Sequence, residues 1–114
     1  MFTKGYQRSS RILNSVLAGY IGFAMKSGNL ISGEDLCKKE IQKRKAYLVI
    51  VAKDASENTQ KVFKDKTAFY NVPIRFYGTK EELGHIIGKM PRAVIVLKDR
   101  NFATKIIDCI DQEN

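Results

Sequence analysis

The apolar run at residues 46–52 is the feature that most restricts how this chain can fold. It reads Ala-Tyr-Leu-Val-Ile-Val-Ala, contains no charged residue and has β-branched side chains at its centre. A strand with one solvated face would alternate apolar and polar residues, so a continuous run is typical of a strand buried on both faces. Such a strand needs helices above and below its sheet, which is the arrangement of an α/β protein.

Three further segments carry strand signals. Leu30-Ile31 predicts a brief edge strand, residues 74–77 follow Pro73 as another strand, and residues 93–97 form the last one. Helical segments separate them, so the order is α, short β, α, β, α, β, α, β, α. This alternation predicts a three-layer α/β/α sandwich with a small mixed central sheet of about four strands. We assign residues 1–114 to one domain, which is long enough to bury a core.

Apolar residues recur at helical spacing in the segments between these strands. Ser9 and Ser10 offer an N-cap for the first helix, and Ser27-Gly28 ends it. The residues predicted to face inward are Ile12, Leu13, Val16, Leu17, Tyr20, Ile21 and Ala24 in the first helix, Leu36, Cys37 and Ile41 in the second, Val62, Phe63, Phe69 and Tyr70 in the third, Leu83, Ile86 and Ile87 in the fourth, and Phe102, Ala103, Ile106, Ile107 and Ile110 in the last.

Two helix starts have recognisable capping signals. Residues 32–35 read Ser-Gly-Glu-Asp, a hydroxyl cap followed by acidic residues in the first turn, and the helix they open is predicted to reach about Arg44. Thr79 and Glu82 have the spacing of a capping box at the start of the short fourth helix.

The charge balance of the chain is strongly basic. Lys+Arg 20 against Asp+Glu 12 gives a net charge of +8 over 114 residues. The hydrophobic fraction of 44% and the aromatic fraction of 10% separate this chain from disordered basic tails, which lack the residues to build a core. The excess charge therefore lies on a folded body. Such a body attracts polyanions, and nucleic acid is the first expectation.

Composition argues against several classes of site and location. Cys37 and Cys109 are too few for a disulfide scaffold and too isolated for a zinc cluster, and His85, the only histidine, excludes a multi-histidine metal site. The N-terminus lacks the apolar run of a signal peptide, and no stretch approaches the ~20 apolar residues that cross a bilayer. We therefore expect a soluble cytoplasmic protein without a metal, a cofactor, a membrane contact or a small-molecule substrate.

Residues 84–90 resemble a phosphate-binding loop only superficially. The spacing is one residue short, no Ser or Thr follows Lys89, and the segment falls inside a predicted helix. We interpret Gly84 and Gly88 as positions for close packing and a helix C-cap. Catalytic roles are not assigned to any residue. The other candidates receive structural interpretations: a surface position for His85, packed thiols for Cys37 and Cys109, and helix caps for Asp54 and Glu57.

Residues 38–45 form a basic cluster that stands out from this background. They read Lys-Lys-Glu-Ile-Gln-Lys-Arg-Lys, and an ordinary solvated helix face is the alternative interpretation. The helix that carries them starts at Gly33, where free backbone N–H groups favour phosphate and the missing Cβ allows close approach. Lys89 and Arg92 precede a strand and can lie beside that helix start in a sandwich. Two such elements suit an irregular RNA better than the major groove of a duplex.

These positions resemble a known family. Gly33, Lys39, residues 46–55, Leu83-Gly84 and Gly88 together look like the kink-turn RNA-binding ribosomal protein superfamily, which includes archaeal ribosomal protein L-seven-A-e and eukaryotic ribosomal protein L-thirty-e. The segments 32–34 and 54–59 look closer still to its small bacterial members, the YlxQ-type ribosomal-protein-like proteins. The resemblance extends from about residue 11 to residue 110 and depends on the order and spacing of several short segments.

The resemblance implies a three-layer α/β/α fold, no catalysis and an RNA-binding surface made of two segments. In the family, the glycine-containing helix start meets tandem sheared G·A pairs, and the loop before the last strand packs against the base extruded at the kink. By position, Gly33 would allow close approach, Lys39 would meet phosphate or a guanine edge, and Met90-Pro91 would supply apolar surface. The implied RNA-binding residues are Ser32, Gly33, Glu34, Asp35, Lys38, Lys39, Arg44, Lys89, Met90, Pro91 and Arg92.

One pair of residues departs from the family pattern. The kink-turn binders usually carry Asn-Glu two and three residues after the glycine, where this chain has Asp35-Leu36. A carboxylate does not donate as an amide does, and leucine cannot accept a hydrogen bond from guanine. We therefore expect an RNA of different shape, or a shape-based contact, in place of direct G·A readout.

The hypothesis that follows is a non-catalytic RNA-binding protein that recognises structured RNA, kink-turn-like or ribosomal, with ribosomal RNA or the ribosome as partner. We favour a monomer over an oligomer. The alternative is a protein-interaction adaptor of the transcription or translation machinery with the same fold. A small enzyme or nucleotide binder is a third interpretation, which a ligand-induced thermal shift would reveal. Of the first two, only RNA binding predicts association that nuclease abolishes.

Overall fold

A mixed sheet of four strands lies at the centre of the computed structural model, which describes residues 15–113. The strands are β1 (Leu30–Ser32), β2 (Leu48–Val51), β3 (Ile74–Phe76) and β4 (Val94–Leu97), in the spatial order β1-β4-β2-β3. β4 pairs antiparallel with β1 and with β2, and β2 pairs parallel with β3. The predicted mixed central sheet is therefore confirmed.

Five helices accompany the sheet within the described residues. They are α1, described over 15–26, α2 (Glu34–Gln42), α3 (Glu57–Tyr70), α4 (Lys80–Ile86) and α5 (Arg100–Glu113). α2 and α3 pack together on one face of the sheet, and α1, α4 and α5 cover the other, which confirms the α/β/α sandwich. None of the helices in this part of the chain is long and apolar enough to span a membrane. Predictions were also made for Ser9, Ser10, Ile12 and Leu13, and these residues lie outside the described range.

β2 and β4 form the centre of the hydrophobic core. All four residues of each strand are buried, and the register places Leu48 opposite Leu97 and Val51 opposite Val94. The run at residues 46–52 thus contains a strand covered on both faces, as its composition predicts. Tyr47 precedes the strand, and its side chain is 39% exposed.

Side chains cap the starts of α3 and α4. Ser56 caps α3, since its hydroxyl accepts a hydrogen bond from the Thr59 N–H at 3.1 Å. Thr79 and Glu82 form the predicted capping box of α4. The Thr79 hydroxyl accepts from the Glu82 N–H at 3.1 Å, and the Glu82 carboxylate accepts from the Thr79 N–H at 2.9 Å.

The two carboxylates predicted as caps act in different ways. Asp54 Oδ1 accepts a hydrogen bond from the Lys80 N–H at 2.8 Å, so Asp54 caps α4 from a distant position in the sequence. Glu57 is not a cap, because Ser56 occupies that position. It lies in the first turn of α3, where a negative charge complements the helix dipole.

The prediction that Phe69 faces the core is wrong, because its side chain is 75% exposed. The buried positions of α3 are Thr59, Phe63 and Thr67. The Thr67 hydroxyl donates to the Phe63 carbonyl oxygen at 2.7 Å, which satisfies a polar group inside the core. Phe69 comes two residues after Thr67, roughly 200° around the helix, and therefore points away from the sheet.

Val16 and Leu36 were also predicted to face inward and are exposed in the structure. Each comes one residue before a fully buried side chain, Leu17 in α1 and Cys37 in α2. One residue rotates the side chain by roughly 100° around the helix, which is enough to leave the narrow buried stripe of either helix.

Candidate nucleic-acid interface

The predicted site residues at the start of α2 and in the loop before β4 lie at one end of the sheet, which we call the Gly33 end. β1 finishes there and β4 begins there, since the Gly33 N–H donates to the Val94 carbonyl oxygen at 3.1 Å. The helices α2, α3 and α4 all start at this end, because each follows the C-terminal end of a strand. The fold therefore gathers helix N-termini and the loop before β4 into one region.

Gly33 is the N-cap of α2 and has φ 96° and ψ 145°. This is a conformation that residues with a Cβ rarely adopt. The space that a Cβ would fill is open, with no other heavy atom within 4 Å. Glycine is thus required by the backbone angle, while the open space leaves room for a ligand.

The prediction of a hydroxyl cap at the start of α2 is wrong. Gly33 is the cap, and no side chain caps this helix. The Ser32 hydroxyl instead accepts a hydrogen bond from Nε of Arg92 at 3.1 Å. Ser32 is the last residue of β1, so its side chain points across to the chain that enters β4 rather than forward into α2.

Arg92 joins the loop before β4 to the start of α2. Besides the bond to Ser32, its Nη1 donates to the carbonyl oxygens of Met90 and Pro91 at 3.0 and 3.3 Å. Its backbone N–H donates to the Lys80 carbonyl oxygen at 3.0 Å. These contacts hold the two predicted segments side by side.

Two glycines determine the path of this loop: Gly84 lies inside α4, and Gly88 follows the end of that helix. A Cβ at Gly84 would overlap the backbone carbonyl group of Met90, and it would lie 2.9 Å from the Pro91 Cα. Gly88 has φ 71°, and the Lys89 N–H donates to the Gly84 carbonyl oxygen at 2.8 Å. Close packing and a helix C-cap are therefore confirmed as their roles. The Met90 side chain is 75% exposed at the tip of the loop.

The two lysines within α2 differ in their exposure. Lys39 is exposed on the side away from the buried Cys37 and Ile41, and Lys38 is half-buried beside them. Glu34 is tied to α3, because its Oε1 accepts a hydrogen bond from the Thr59 hydroxyl at 3.1 Å.

Arg44 does not join the other predicted site residues. α2 ends at Gln42 rather than Arg44, and Arg44 has φ 61° in the turn that follows. Its guanidinium lies 5.1 Å from the Tyr70 ring centroid, near the C-terminal end of α3. At about 1.5 Å per helical residue, Arg44 lies roughly 15 Å from Gly33, at the opposite end of the sheet.

Acidic side chains also line the Gly33 end. Glu34 and Asp35 are in the first turn of α2, and Glu81 and Glu82 are in the first turn of α4. Acidic residues at helix starts are stabilised by the helix dipole. The positive charge of Lys89 and Arg92 at this end is therefore partly balanced, while Lys39 lies in the last turn of α2.

The two thiols are poor nucleophiles. Burial, with smaller contributions from Glu40 and Glu34, raises the pKa of Cys37, and its Sγ lies within 3.5 Å of the Ile31 carbonyl oxygen. Burial also raises the pKa of Cys109. Both thiols stay protonated at neutral pH, so their interpretation as packed side chains is supported. Among residues 15–113, no group of three or more His, Cys, Asp or Glu residues is arranged to hold a metal ion.

Two curated relatives resemble this chain over most of its length. The RNA-binding protein YlxQ of Enterococcus faecium is 45% identical over 91 residues, which cover 80% of this chain and 87% of the relative. The RNA-binding protein YlxQ of Bacillus subtilis (strain 168) is 41% identical over 91 residues, which cover 80% of this chain and 91% of the relative.

Solved structures share the same fold. A protein of unknown function from Bacillus halodurans C superposes with a TM-score of 0.81 at 35% identity, covering 83% of this chain and 96% of its own. The 15.5kD RNA binding protein of Giardia lamblia superposes with a TM-score of 0.72 at 22% identity, covering 88% of each chain. At that identity the second likeness concerns the fold alone.

The family model described as the ribosomal protein L7Ae/L30e/S12e/Gadd45 family matches residues 15–107. This match includes α1 to β4 and most of α5, and it contains Gly33 and the loop before β4. The resemblance seen in the sequence is therefore confirmed: the chain belongs to the ribosomal protein L7Ae/L30e/S12e/Gadd45 family.

Proposed function

We propose that this protein is a non-catalytic RNA-binding protein that contacts structured RNA, kink-turn-like or ribosomal, at the Gly33 end. The observation that carries the proposal is the Arg92–Ser32 hydrogen bond of 3.1 Å, which joins the loop before β4 to the start of α2. Both curated relatives are named RNA-binding proteins, which supports the same class of ligand. The proposed partner is ribosomal RNA or another folded RNA, bound by a cytoplasmic monomer.

The backbone at Gly33 supplies the proposed shape recognition. The first N–H groups of α2 have no partners within their own helix, and they suit phosphate or base-edge oxygens. No side chain caps them, and the space beside Gly33 is open. An RNA backbone can therefore approach the helix start more closely than it could if position 33 carried a side chain.

The loop before β4 supplies the second half of the surface. Met90 and Pro91 are exposed apolar side chains on which an unstacked base can rest. Nε and Nη1 of Arg92 are engaged with the protein, while Nη2 makes no hydrogen bond within residues 15–113 and can meet a phosphate. Lys38, Lys39 and Lys89 add long-range attraction.

Asp35 and Leu36 define the proposed limit of specificity. Both are exposed in the first turn of α2, where direct G·A readout would require a donor and an acceptor. We propose that recognition here depends on RNA shape, and that Asp35 weakens binding to RNAs that bring a phosphate against this turn.

Fluorescence anisotropy with a labelled kink-turn RNA and a plain RNA duplex tests the proposal. The kink-turn should bind more tightly, and log K should fall with log[salt] with a slope of roughly −3 to −4 if four or five phosphates are contacted. Arg92→Gln should weaken kink-turn binding several-fold, and Lys61→Gln on the exposed side of α3 is the charge-matched control. A wild-type protein that binds neither RNA would refute the proposal.

The adaptor remains a second candidate because of one observation at the same end. Leu36 is 55% exposed and lies on the helix that also presents Asp35 and Lys39, so the surface is mixed in charge and partly apolar. Such surfaces are common in protein–protein contacts. A pull-down with and without nuclease distinguishes the two candidates, since association with a protein partner would survive the nuclease.

A further inference from the structure

The end of the sheet opposite Gly33 carries a second basic surface, which we call the Tyr47 end. The Tyr47 N–H donates to the Leu97 carbonyl oxygen at 2.8 Å, and the Lys98 N–H donates to the Asn29 carbonyl oxygen at 2.8 Å. These bonds bring the start of β2, the end of β4 and the chain after α1 together. The Tyr47 end is defined by the cations Lys26, Lys43, Arg44, Lys45, Lys98, Arg100 and Lys105 and by the aromatic residues Tyr20, Phe23, Tyr47, Tyr70 and Phe102.

Cations and aromatic rings alternate along this end. The Arg44 guanidinium lies 5.1 Å from the Tyr70 ring centroid, and the Arg100 guanidinium lies 5.5 Å from that of Tyr47. Beyond the start of α5, the Lys105 ammonium lies 5.7 Å from the Tyr20 ring centroid. The contacts run from the end of α3 to the middle of α1, and we call them the strip.

Two aromatic side chains in or beside the strip remain open to solvent. The Phe23 side chain is 63% exposed although its ring packs edge-on against Phe102 at 5.9 Å, and the Tyr47 side chain is 39% exposed. A shallow pocket of about 430 Å³ lies beside Phe23 and Phe102, with Tyr20, Asp99, Asn101 and Lys105 on its walls. Its size and its aromatic walls suit a nucleobase.

Helix dipoles account for only part of the positive charge at the Tyr47 end. Lys43 and Arg44 follow the C-terminal end of α2, where a cation is favoured. Arg100 is in the first turn of α5, where a cation is disfavoured, and that turn contains no acidic residue. The contact of Arg100 with the Tyr47 ring offsets part of this cost, and an anionic ligand would offset more of it.

Negative charge is scarce at this end of the described chain. Within residues 15–113, Asp99 lines the pocket beside Phe23, and Asp108 follows Lys105 by one turn of α5. Asp99 is occupied as the cap of α5, because its Oδ2 accepts a hydrogen bond from the Phe102 N–H at 3.0 Å. The Tyr47 end therefore has a stronger excess of positive charge than the Gly33 end.

We propose that the Tyr47 end binds a single-stranded segment of RNA. Phosphates meet Lys43, Lys45, Arg100 and Lys105, and bases stack on Phe23 and the exposed edge of Tyr47, the combination by which proteins bind single strands. The inference rests on the proposed RNA binding and extends it. A folded RNA element at the Gly33 end would continue as a single strand to the opposite end of the same sheet.

The test compares a labelled RNA hairpin that contains the kink-turn with the same hairpin carrying a single-stranded tail of about ten nucleotides. The tail should raise the affinity of the wild-type protein, and Arg100→Gln/Lys105→Gln should abolish that gain while leaving hairpin binding unchanged. The salt slope for the tailed RNA should become shallower by about 1.4 when two single-strand phosphate contacts are lost. Lys61→Gln/Lys64→Gln, the same loss of charge on exposed positions of α3, should keep the gain.

Phe23→Ala adds a readout that is independent of charge. It should reduce the gain from the tail by about 5- to 100-fold if one base stacks on the ring, without changing the salt slope. Thermal melting of each variant excludes loss of fold, since all substituted side chains are largely exposed.

The outcomes separate this inference from the proposed function. If the hairpin binds and the tail adds no affinity, or if both double variants lose the gain equally, the Tyr47 end is not a single-strand site and the proposed function stands. If the wild-type protein binds neither RNA, both proposals fall. If only an isolated single strand binds, and Arg100 and Lys105 are required, the Tyr47 end is the RNA site and the Gly33 end is not.

Discussion

Different helix termini lie at the Gly33 end and at the Tyr47 end of the sheet. At the Gly33 end, α2, α3 and α4 begin, and acidic residues occupy each first turn. At the Tyr47 end, α1, α2 and α3 finish, and Lys26, Lys43 and Arg44 lie at or just beyond the last turns of α1 and α2. The helix dipole favours both arrangements, so much of the charge is placed by folding.

The net charge of a basic protein does not show where on the surface its ligand binds. The basic cluster at residues 38–45 is one short stretch of sequence, but its cations point in different directions around the end of α2 and the turn that follows. Lys39 faces solvent on α2, whereas Arg44 packs on Tyr70 beyond the end of that helix. A charge that the helix dipole disfavours, such as Arg100, is therefore better evidence for a ligand site than a charge that the dipole favours.

The largest expected effect concerns the loop of the Gly33 end. Gly84→Ala should lower the free energy of unfolding by about 2–3 kcal/mol, because its Cβ would overlap the Met90 carbonyl group and force the loop away from α4. Gly19→Ala, also in a helix but with open space around it, should be neutral or stabilising by about 0.5–1 kcal/mol. Urea unfolding measures both, and equal effects would contradict the packing argument.

A matched pair of glycines compares the two ends directly. Gly33→Ala and Gly28→Ala both place a Cβ at positive φ, 96° and 78°, with open space around it. Each should lower stability by about 1–2 kcal/mol. Only Gly33→Ala should also weaken binding of a structured RNA, measured by anisotropy. The comparison would fail if Gly28→Ala reduced that affinity to the same extent.

The charge of the Tyr47 end can be increased without removing a cap. Asp99→Asn keeps a good N-cap for α5, so thermal stability should change by less than about 0.5 kcal/mol. Removing a negative charge near Arg100 should strengthen binding of a single-stranded tail by about 2- to 5-fold at low salt. Asp65→Asn makes the same charge change at an exposed position of α3, and an equal gain there would indicate a bulk effect of net charge.

The smallest effect is a pH dependence at the far end of α5. Asp111 accepts two hydrogen bonds from Arg75, at 2.9 and 3.1 Å, and this pairing lowers the pKa of its carboxyl group. A lowered folded-state pKa stabilises the protein above the unfolded pKa, and this stabilisation is lost as pH falls through the folded value. Wild type should therefore exceed Asp111→Asn in urea midpoint at pH 7 by a small margin, and the two should converge in acid. A constant difference would exclude this ion pair as the cause.

Local sequence patterns predicted the centre of the fold well. The run at 46–52 indicated β2, and the Thr79–Glu82 spacing indicated the capping box, since each depends on a few neighbouring residues. Gly84 and Gly88 were also interpreted correctly as packing and turn positions. Phe69 was not, because Thr67 occupies the buried stripe of α3 with its hydroxyl satisfied by the helix itself, which hydrophobicity alone does not reveal.

The candidate site was harder to predict because its contacts join distant segments. Nothing local to Ser32 indicates that its hydroxyl pairs with Arg92, sixty residues later, instead of capping α2. The Tyr47 end was missed for the same reason. Phe23, Tyr47 and Arg100 belong to three segments, and only the packing of α1, β2 and α5 brings them to one surface.

The order of the strands has a consequence for how the protein behaves at high concentration. The two edges of the sheet, β1 and β3, are only three residues long, while the most apolar strands, β2 and β4, are enclosed between them. Long exposed edges are templates for pairing with other chains, and short edges are poor ones. The segment most prone to aggregation, 46–52, is thereby kept from intermolecular strand addition as long as β3 and β4 stay paired with β2.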